Sequence, residues 1–254
     1  MTARGGTRSA RGAAGAPPPE RSPAPPSQYP TIVLTPPGAG GAAVAEDARV
    51  HPSAIIEPGV TIGGRTTVGD GVHVHGSSVI GRDCTVGEKT HIAAGVTIAD
   101  AVRIGTHVHV CSGVTIESSV MVGAGVIFTN ERYPRAACYE EESAPPAPPP
   151  DALRTVVRAG ATIGAGALIG PGVDIGGWAM VGMGAMVTRD VLPHALMIGA
   201  PARVAGWVCV CGTPLGGAAV AAPALCKRCG RCYRDVYGPR GRALVPLEGE
   251  PRSG

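Results

Sequence analysis

The chain has 254 residues, a formal net charge of +3, 39 Gly and 25 Pro, but one Phe and two Trp. So small a charge argues against nucleic acid or a membrane surface as partner, and no apolar run approaches the roughly 20 residues of a membrane-spanning helix. With so few aromatic residues, a core must come from Val, Ile and Ala, which suits a narrow solenoid better than a layered globule.

Residues 1–46 are rich in Ala, Gly, Pro and Arg, with Glu20 the only acid before Glu46. This composition cannot bury enough apolar surface to offset its ordering entropy, so a disordered tail is expected. No apolar core of a signal peptide is visible there, and eight Cys without an export signal point to a reducing, cytoplasmic setting. Clustered Cys are then metal ligands more readily than disulfides.

From Val50 an aliphatic residue recurs every six positions: Ile56, Ile62, Val68, Val74, Ile80, Val86, Ile92, Ile98, Ile104, Val110, Ile116 and Val122. Four residues after each comes a small or β-branched residue, as at Ala54, Val60, Thr66, Val72, Ser78 and Cys84. Gly often follows the aliphatic position, as at Gly63, Gly69, Gly81, Gly87, Gly105 and Gly123, where it is expected to supply turn conformations. The pattern resumes at Val157, Ile163, Ile169, Ile175, Val181 and Val187. A period of six is neither helical nor a simple alternation. It implies one short strand and one turn per hexapeptide, three hexapeptides per triangular coil, and residue n stacked on n+18 at about 4.8 Å. The fold class expected is therefore all-β: a parallel β-helix over 47–207, with a loop ejected between Phe128 and about Thr155. A Cys-rich segment over 208–238 and a flexible tail over 239–254 follow.

Cys209-Val210-Cys211-Gly212 and Cys226-Lys227-Arg228-Cys229-Gly230 read as two metal knuckles. Four thiolates, Cys209, Cys211, Cys226 and Cys229, suit a closed tetrahedral structural zinc, with Cys232 an alternative ligand or free thiol. His73, His91 and His109 are spaced by 18 and 18, so they should form a ladder up one outer face. That ladder can be a solvated stripe, a metal site or a base.

Phe128-Thr129-Asn130-Glu131-Arg132-Tyr133-Pro134-Arg135 resembles the FTN…PR segment of bacterial left-handed β-helix N-acetyltransferases acting on UDP-linked amino sugars. Ala195-Leu196-Met197-Ile198-Gly199-Ala200-Pro201-Ala202-Arg203 with Gly206-Trp207 resembles that family's exit from its last coil. The resemblance implies left-handed coils, a homotrimer, acetyl-CoA as cosubstrate and an amino-sugar acceptor. It places Asn130 beside the acceptor amine. Within the ladder, His109 precedes Val110, which should stack beneath Phe128, so it is the histidine nearest Asn130 and the candidate general base, with His107 an alternative. Thr129, Tyr133, Arg135 and His107 become candidate acceptor contacts. Coenzyme A would lie against backbone of Gly166, Ala167, Gly184 and Ala185, with Arg189 and Arg203 on its phosphates. The chain departs from the family pattern at Gly69-Asp70-Gly71 and Thr106-His107, and in its long acidic loop. Two rival readings are a catalytically inert scaffold or binding module, and a metalloenzyme resembling the γ-type carbonic anhydrases. The latter lacks a ligand at Val114, where that family's third His would fall.

Overall fold

In the computed structural model, residues 41–134, 153–238 and 241–247 are described. They build three parallel sheets that form the faces of a left-handed β-helix, with no helix among them. The first face has seven strands, from Ala43–Val44 to Asp174–Ile175. The second begins at Arg49–Val50, passes through Met180–Val181 and continues into the C-terminal segment. The third has seven strands: Ile55–Ile56, His73–Val74, His91–Ile92, His109–Val110, Ile127–Phe128, Leu168–Ile169 and Met186–Val187. Register is that expected: Thr61 pairs with Val79, and His73 with His91. Across the ejected loop Met121 pairs with Thr162 and Ile127 with Leu168, so the insertion lengthens one coil without shifting the stack.

In nearly every two-residue strand the second residue points inward, because side chains alternate across a strand. Ile62, Val74, Ile92, Val110, Ile116, Ile163 and Val187 are buried, as are the corner fillers Val60, Val96, Val126 and Ala167. Four corner positions, Thr66, Ser78, Thr90 and Thr155, carry buried hydroxyls, and the first three are each satisfied twice. Thr66 Oγ1 donates to Gly81 O at 2.7 Å and accepts from Cys84 N at 3.1 Å; Ser78 and Thr90 repeat the arrangement. A buried hydroxyl so paired avoids the desolvation penalty of an orphan.

The glycines differ from expectation. A left-handed φ recurs every six residues, at Gly59, Arg65, Gly71, Ser77, Asp83, Lys89, Gly95, Ala101, His107, Gly113, Ser119 and Gly125. The Gly that follows the aliphatic residue lies two positions earlier and needs no such φ. Its role is steric: a Cβ on Gly105 would meet Ala124 N at 2.6 Å, and one on Gly123 would meet Ala165 N at 2.5 Å. Close coil stacking selects Gly there, while the turn itself tolerates Arg, Lys and His.

Two boundaries also move. The solenoid begins at Ala43–Val44, which pairs with Thr61–Ile62. Phe128, expected to open the loop, is a fully buried member of the third face, paired with Ile169. Beyond the insertion, Arg158 clamps the stack by reaching Asp174 at 3.0 Å and Glu117 at 3.0 Å.

The C-terminal segment is built onto the last coil. Ala195–Ile198 runs parallel to Met180–Val181, and Arg203–Val208 then turns back antiparallel on it. Gly241–Pro246, expected to be flexible tail, pairs antiparallel with Cys232–Gly238 and buries Leu244.

Candidate functional site

The edge where the chain leaves the third face gathers most of the candidate residues. Thr129 spends its N–H and its hydroxyl on Ile169 O, at 3.0 and 3.1 Å. That anchors the exit and turns the Thr129 side chain back onto the coil. Asn130 follows, half-buried, with its carbonyl 3.4 Å from Leu153 N. Tyr133 is 85% exposed, and Arg135 lies outside the described residues. Next to this exit is a cavity of about 590 Å³ lined by Arg132, Gly172, Thr188, Arg189, Asp190, Met197 and Arg203, among others. Arg189 and Arg203, chosen from the sequence for phosphates, therefore meet in one hollow. Arg132 joins them, a residue that sequence reasoning passed over although it lies inside the FTN…PR segment. Three arginines line one cavity, together with Asp190, and Arg203 spends one donor on Ala202 O at 2.9 Å; such a cationic lining suits a phosphorylated ligand.

The coenzyme A set divides. Gly166 and Gly184 occupy the corner that enters the third face, and both take left-handed φ. Ala167 and Ala185 are buried beside them, and their backbone groups serve the solenoid. Their N–H groups go to Gly164 O and Gly182 O, and their carbonyls accept from Ile127 N and Leu168 N. Arg189 and Arg203 belong to the opposite edge of the same face. His107 also sits on the entering corner, with its N–H on Glu88 O and φ of 56°. It is thus on the other edge from Asn130, because a hexapeptide places it two residues before its strand and Asn130 two residues after.

The ladder is real and larger than its spacing shows. His73 pairs with His91 and His91 with His109 along the third face. The rings of His91 and His109 stack at 4.8 Å, close to parallel at 9°. His109 pairs in register with Ile127, one coil below the strand that leads to Asn130. His75, missed from the sequence, joins the lower end: its ring lies 3.9 Å from His73 and 4.6 Å from His91. The available signal was parity, since residues 73 and 75 flank the inward Val74. Glu57 receives both, with Oε1 2.9 Å from His73 Nε2 and 2.9 Å from His75 Nδ1. Gly76 N–H donates to its other oxygen at 2.9 Å, which with His73 holds this carboxyl below the usual carboxylate range. Burial, followed by neighbouring imidazoles, pushes His91 down and favours its neutral form.

The four knuckle cysteines converge. Their sulfurs lie within 4.8 Å of one another, with Cys209 to Cys229 at 3.4 Å and Cys211 to Cys226 at 3.6 Å. Gly212 and Gly230 both take left-handed φ, closing each knuckle by a bond back to Cys209 O and Cys226 O. Tyr233 OH donates to Cys209 Sγ at 3.0 Å. Burial raises Cys209 to about 12, whereas the Thr213 hydroxyl pulls Cys211 down to about 6. Cys232 falls outside the quartet.

Residues 65–100 match the family description "Bacterial transferase hexapeptide (six repeats)". A dTDP-3-amino-3,6-dideoxy-alpha-D-galactopyranose 3-N-acetyltransferase from Aneurinibacillus thermoaerophilus is 37% identical over 92 residues, covering 36% of this chain and 46% of that protein. The chain thus spans about half the length of the curated relative it matches. Among solved structures, the UDP-N-acetylglucosamine acyltransferase of Campylobacter jejuni is 14% identical, over 66% of this chain and 73% of that one, with a TM-score of 0.48. The perosamine N-acetyltransferase of Caulobacter crescentus, solved with CoA and GDP-perosamine, is 26% identical, over 63% of this chain and 56% of that one, with a TM-score of 0.24.

Proposed function

We propose that the chain is an acetyl-CoA-dependent N-acetyltransferase acting on a nucleotide-linked amino sugar. The observation that carries this reading is the cavity holding Arg132, Arg189 and Arg203 beside the exit of Asn130. Arginines lining a hollow suit phosphate-bearing ligands, and the 37% identical relative is named for acetylation of an amino sugar on a nucleotide. The reaction asks little of side chains. A neutral amine attacks the thioester carbonyl, the C–S bond breaks, and the amine's proton passes to a base or to the departing thiolate. Asn130 can orient the amine through its amide oxygen but cannot take the proton. His109 supplies an imidazole within one coil of it for that step.

The same proposal includes a homotrimer, since three flat faces allow identical faces to meet about a cyclic axis. It also includes a structural zinc on Cys209, Cys211, Cys226 and Cys229. The quartet fits such an ion: the sulfurs converge, and no open position is needed for the chemistry above. The test of function is a panel of amino-sugar nucleotides offered with acetyl-CoA, reading released thiol and N-acetylated product. Turnover on at least one member is expected. An inert response across dTDP-, UDP- and GDP-linked amino sugars would favour the scaffold reading.

A further inference from the structure

We propose that His73, His75 and His91 form a binding site for one divalent transition-metal ion, with Glu57 as its orienting carboxylate. This site stands on its own residues and does not depend on the transferase reading. Each of the three imidazoles offers a ring nitrogen within 4.8 Å of the other two. The solenoid creates the convergence: His73 and His75 leave one coil on the same side, and the register sets His91 directly against His73 in the next. A tetrahedral ion with bonds of about 2.0–2.1 Å needs nitrogens about 3.4 Å apart. The rings must therefore close by no more than about 1.4 Å. His73 and His75 side chains are 31% and 29% exposed, so side-chain rotation supplies that movement.

Glu57 makes His75 a ligand in waiting. One carboxylate oxygen is fixed by Gly76 N–H, and the other faces His75 Nδ1 at 2.9 Å. A proton held on Nδ1 leaves the Nε2 lone pair free. That Nε2 is shut away from solvent and has no hydrogen-bond partner among the described residues. A buried polar atom without a partner is uncommon in a folded protein and calls for an occupant. Carboxylate–imidazole–metal relays orient metal-bound histidines generally, and neutral imidazoles select Zn²⁺, Co²⁺, Ni²⁺ or Cu²⁺ over Mg²⁺ or Ca²⁺. Three nitrogen donors leave a further coordination position open to water or another small ligand. The thiolate quartet is a separate, softer donor set on another segment.

The test uses the full chain dialysed against micromolar Zn²⁺, with bound metal counted per chain, and the Co²⁺ form read by visible absorption. Thiolate ligation gives Co²⁺ an intense charge-transfer band that imidazole ligation lacks, so the two sites are read separately. His75→Ala and His91→Ala are each expected to remove one equivalent while the thiolate band persists. Cys211→Ser is expected to remove the band and leave the imidazole equivalent. Glu57→Gln should weaken that equivalent about 10- to 100-fold without removing it. If the Cys quartet binds nothing, one equivalent without the thiolate band still supports the His site. The proposal is overturned if both His variants bind as much metal as the parent chain. It is also overturned if the non-thiolate equivalent loads only at about millimolar Zn²⁺, the weak regime of scattered surface histidines.

Discussion

Replacing Asn130 by Ala separates a functional asparagine from a loop residue that merely caps its own turn. Asn130 is half-buried, and no described residue pairs with its side-chain amide. The chain is already anchored one residue earlier by the two Thr129 bonds to Ile169 O. Removing the amide therefore breaks no hydrogen bond to a described residue and removes only part-buried atoms, and stability should change by less than about 1 kcal/mol. If the amide orients the acceptor amine, its loss costs about 1.5–3 kcal/mol in the transition state, roughly 10- to 100-fold in turnover. Thr129→Val is the contrast. Its hydroxyl bond goes to a carbonyl that the Thr129 N–H already serves, so about 0.5–1 kcal/mol of stability is lost without a large kinetic effect. The assay pairs thiol release from acetyl-CoA with thermal unfolding of both variants. Full activity of Asn130→Ala on the true acceptor refutes its role. So would a rate loss matched by unfolding, since the anchoring argument would then be wrong.

The turn geometry gives a sharp pair: Gly105→Ala should lose about 1–3 kcal/mol by overpacking against Ala124, whereas Gly125→Ala, with open space but φ of 67°, should lose about 1–2 kcal/mol from backbone strain alone. Chemical denaturation of both variants reads this, and smaller-to-larger relaxation of neighbours should be needed only for the first. Chelation should release the C-terminal knuckles first, seen as a red shift of Trp207, now 3% exposed, before loss of the β-sheet signal. Acid should act at the same end. Burial depresses His194, whose Nδ1 donates to Val208 O at 3.0 Å, so its folded pKa lies below the unfolded value of about 6.5. Its stabilising contribution is complete above about pH 6.5 and is lost as pH falls through the folded pKa. His194→Gln should flatten the melting temperature in that window while lowering it at pH 8.

The hexapeptide pattern made the coil, its eighteen-residue register and nearly every buried position legible, because a strict period leaves only one way to stack. The knuckles were legible too, since Cys spacing and the following Gly constrain the geometry locally. Phe128 keeps the period, six residues after Val122, but its side chain is larger than the aliphatic residues of the repeat, so the sequence reads as if the loop opens there. The turn reading of Gly105 misses its neighbour Ala124, nineteen residues on in the next coil, whose backbone decides its identity. Glu57 and His75 escaped for a related reason. Their partnership joins successive coils and one strand's two flanks, and no linear motif displays both. The Arg132 cavity depends on how the exit folds back over Thr188 and Arg203, which no repeat encodes.

A parallel solenoid that simply stopped would present a row of unpaired backbone groups on every face, a template for end-to-end stacking with another molecule. Here each face is closed differently. Val191 bridges to Ile175, Ala195–Ile198 lies along Met180–Val181, and Gly199 and Ala202 exchange bonds with Met186. The antiparallel return of Arg203–Val208 then reverses strand direction, so a following coil has no matching edge. Because Tyr233 ties this return to Cys209 and Val210, the knuckles act as the lock on a terminator. Chains that lose them should be expected to polymerise rather than merely to soften, and their solubility should fall with concentration before any coil unwinds.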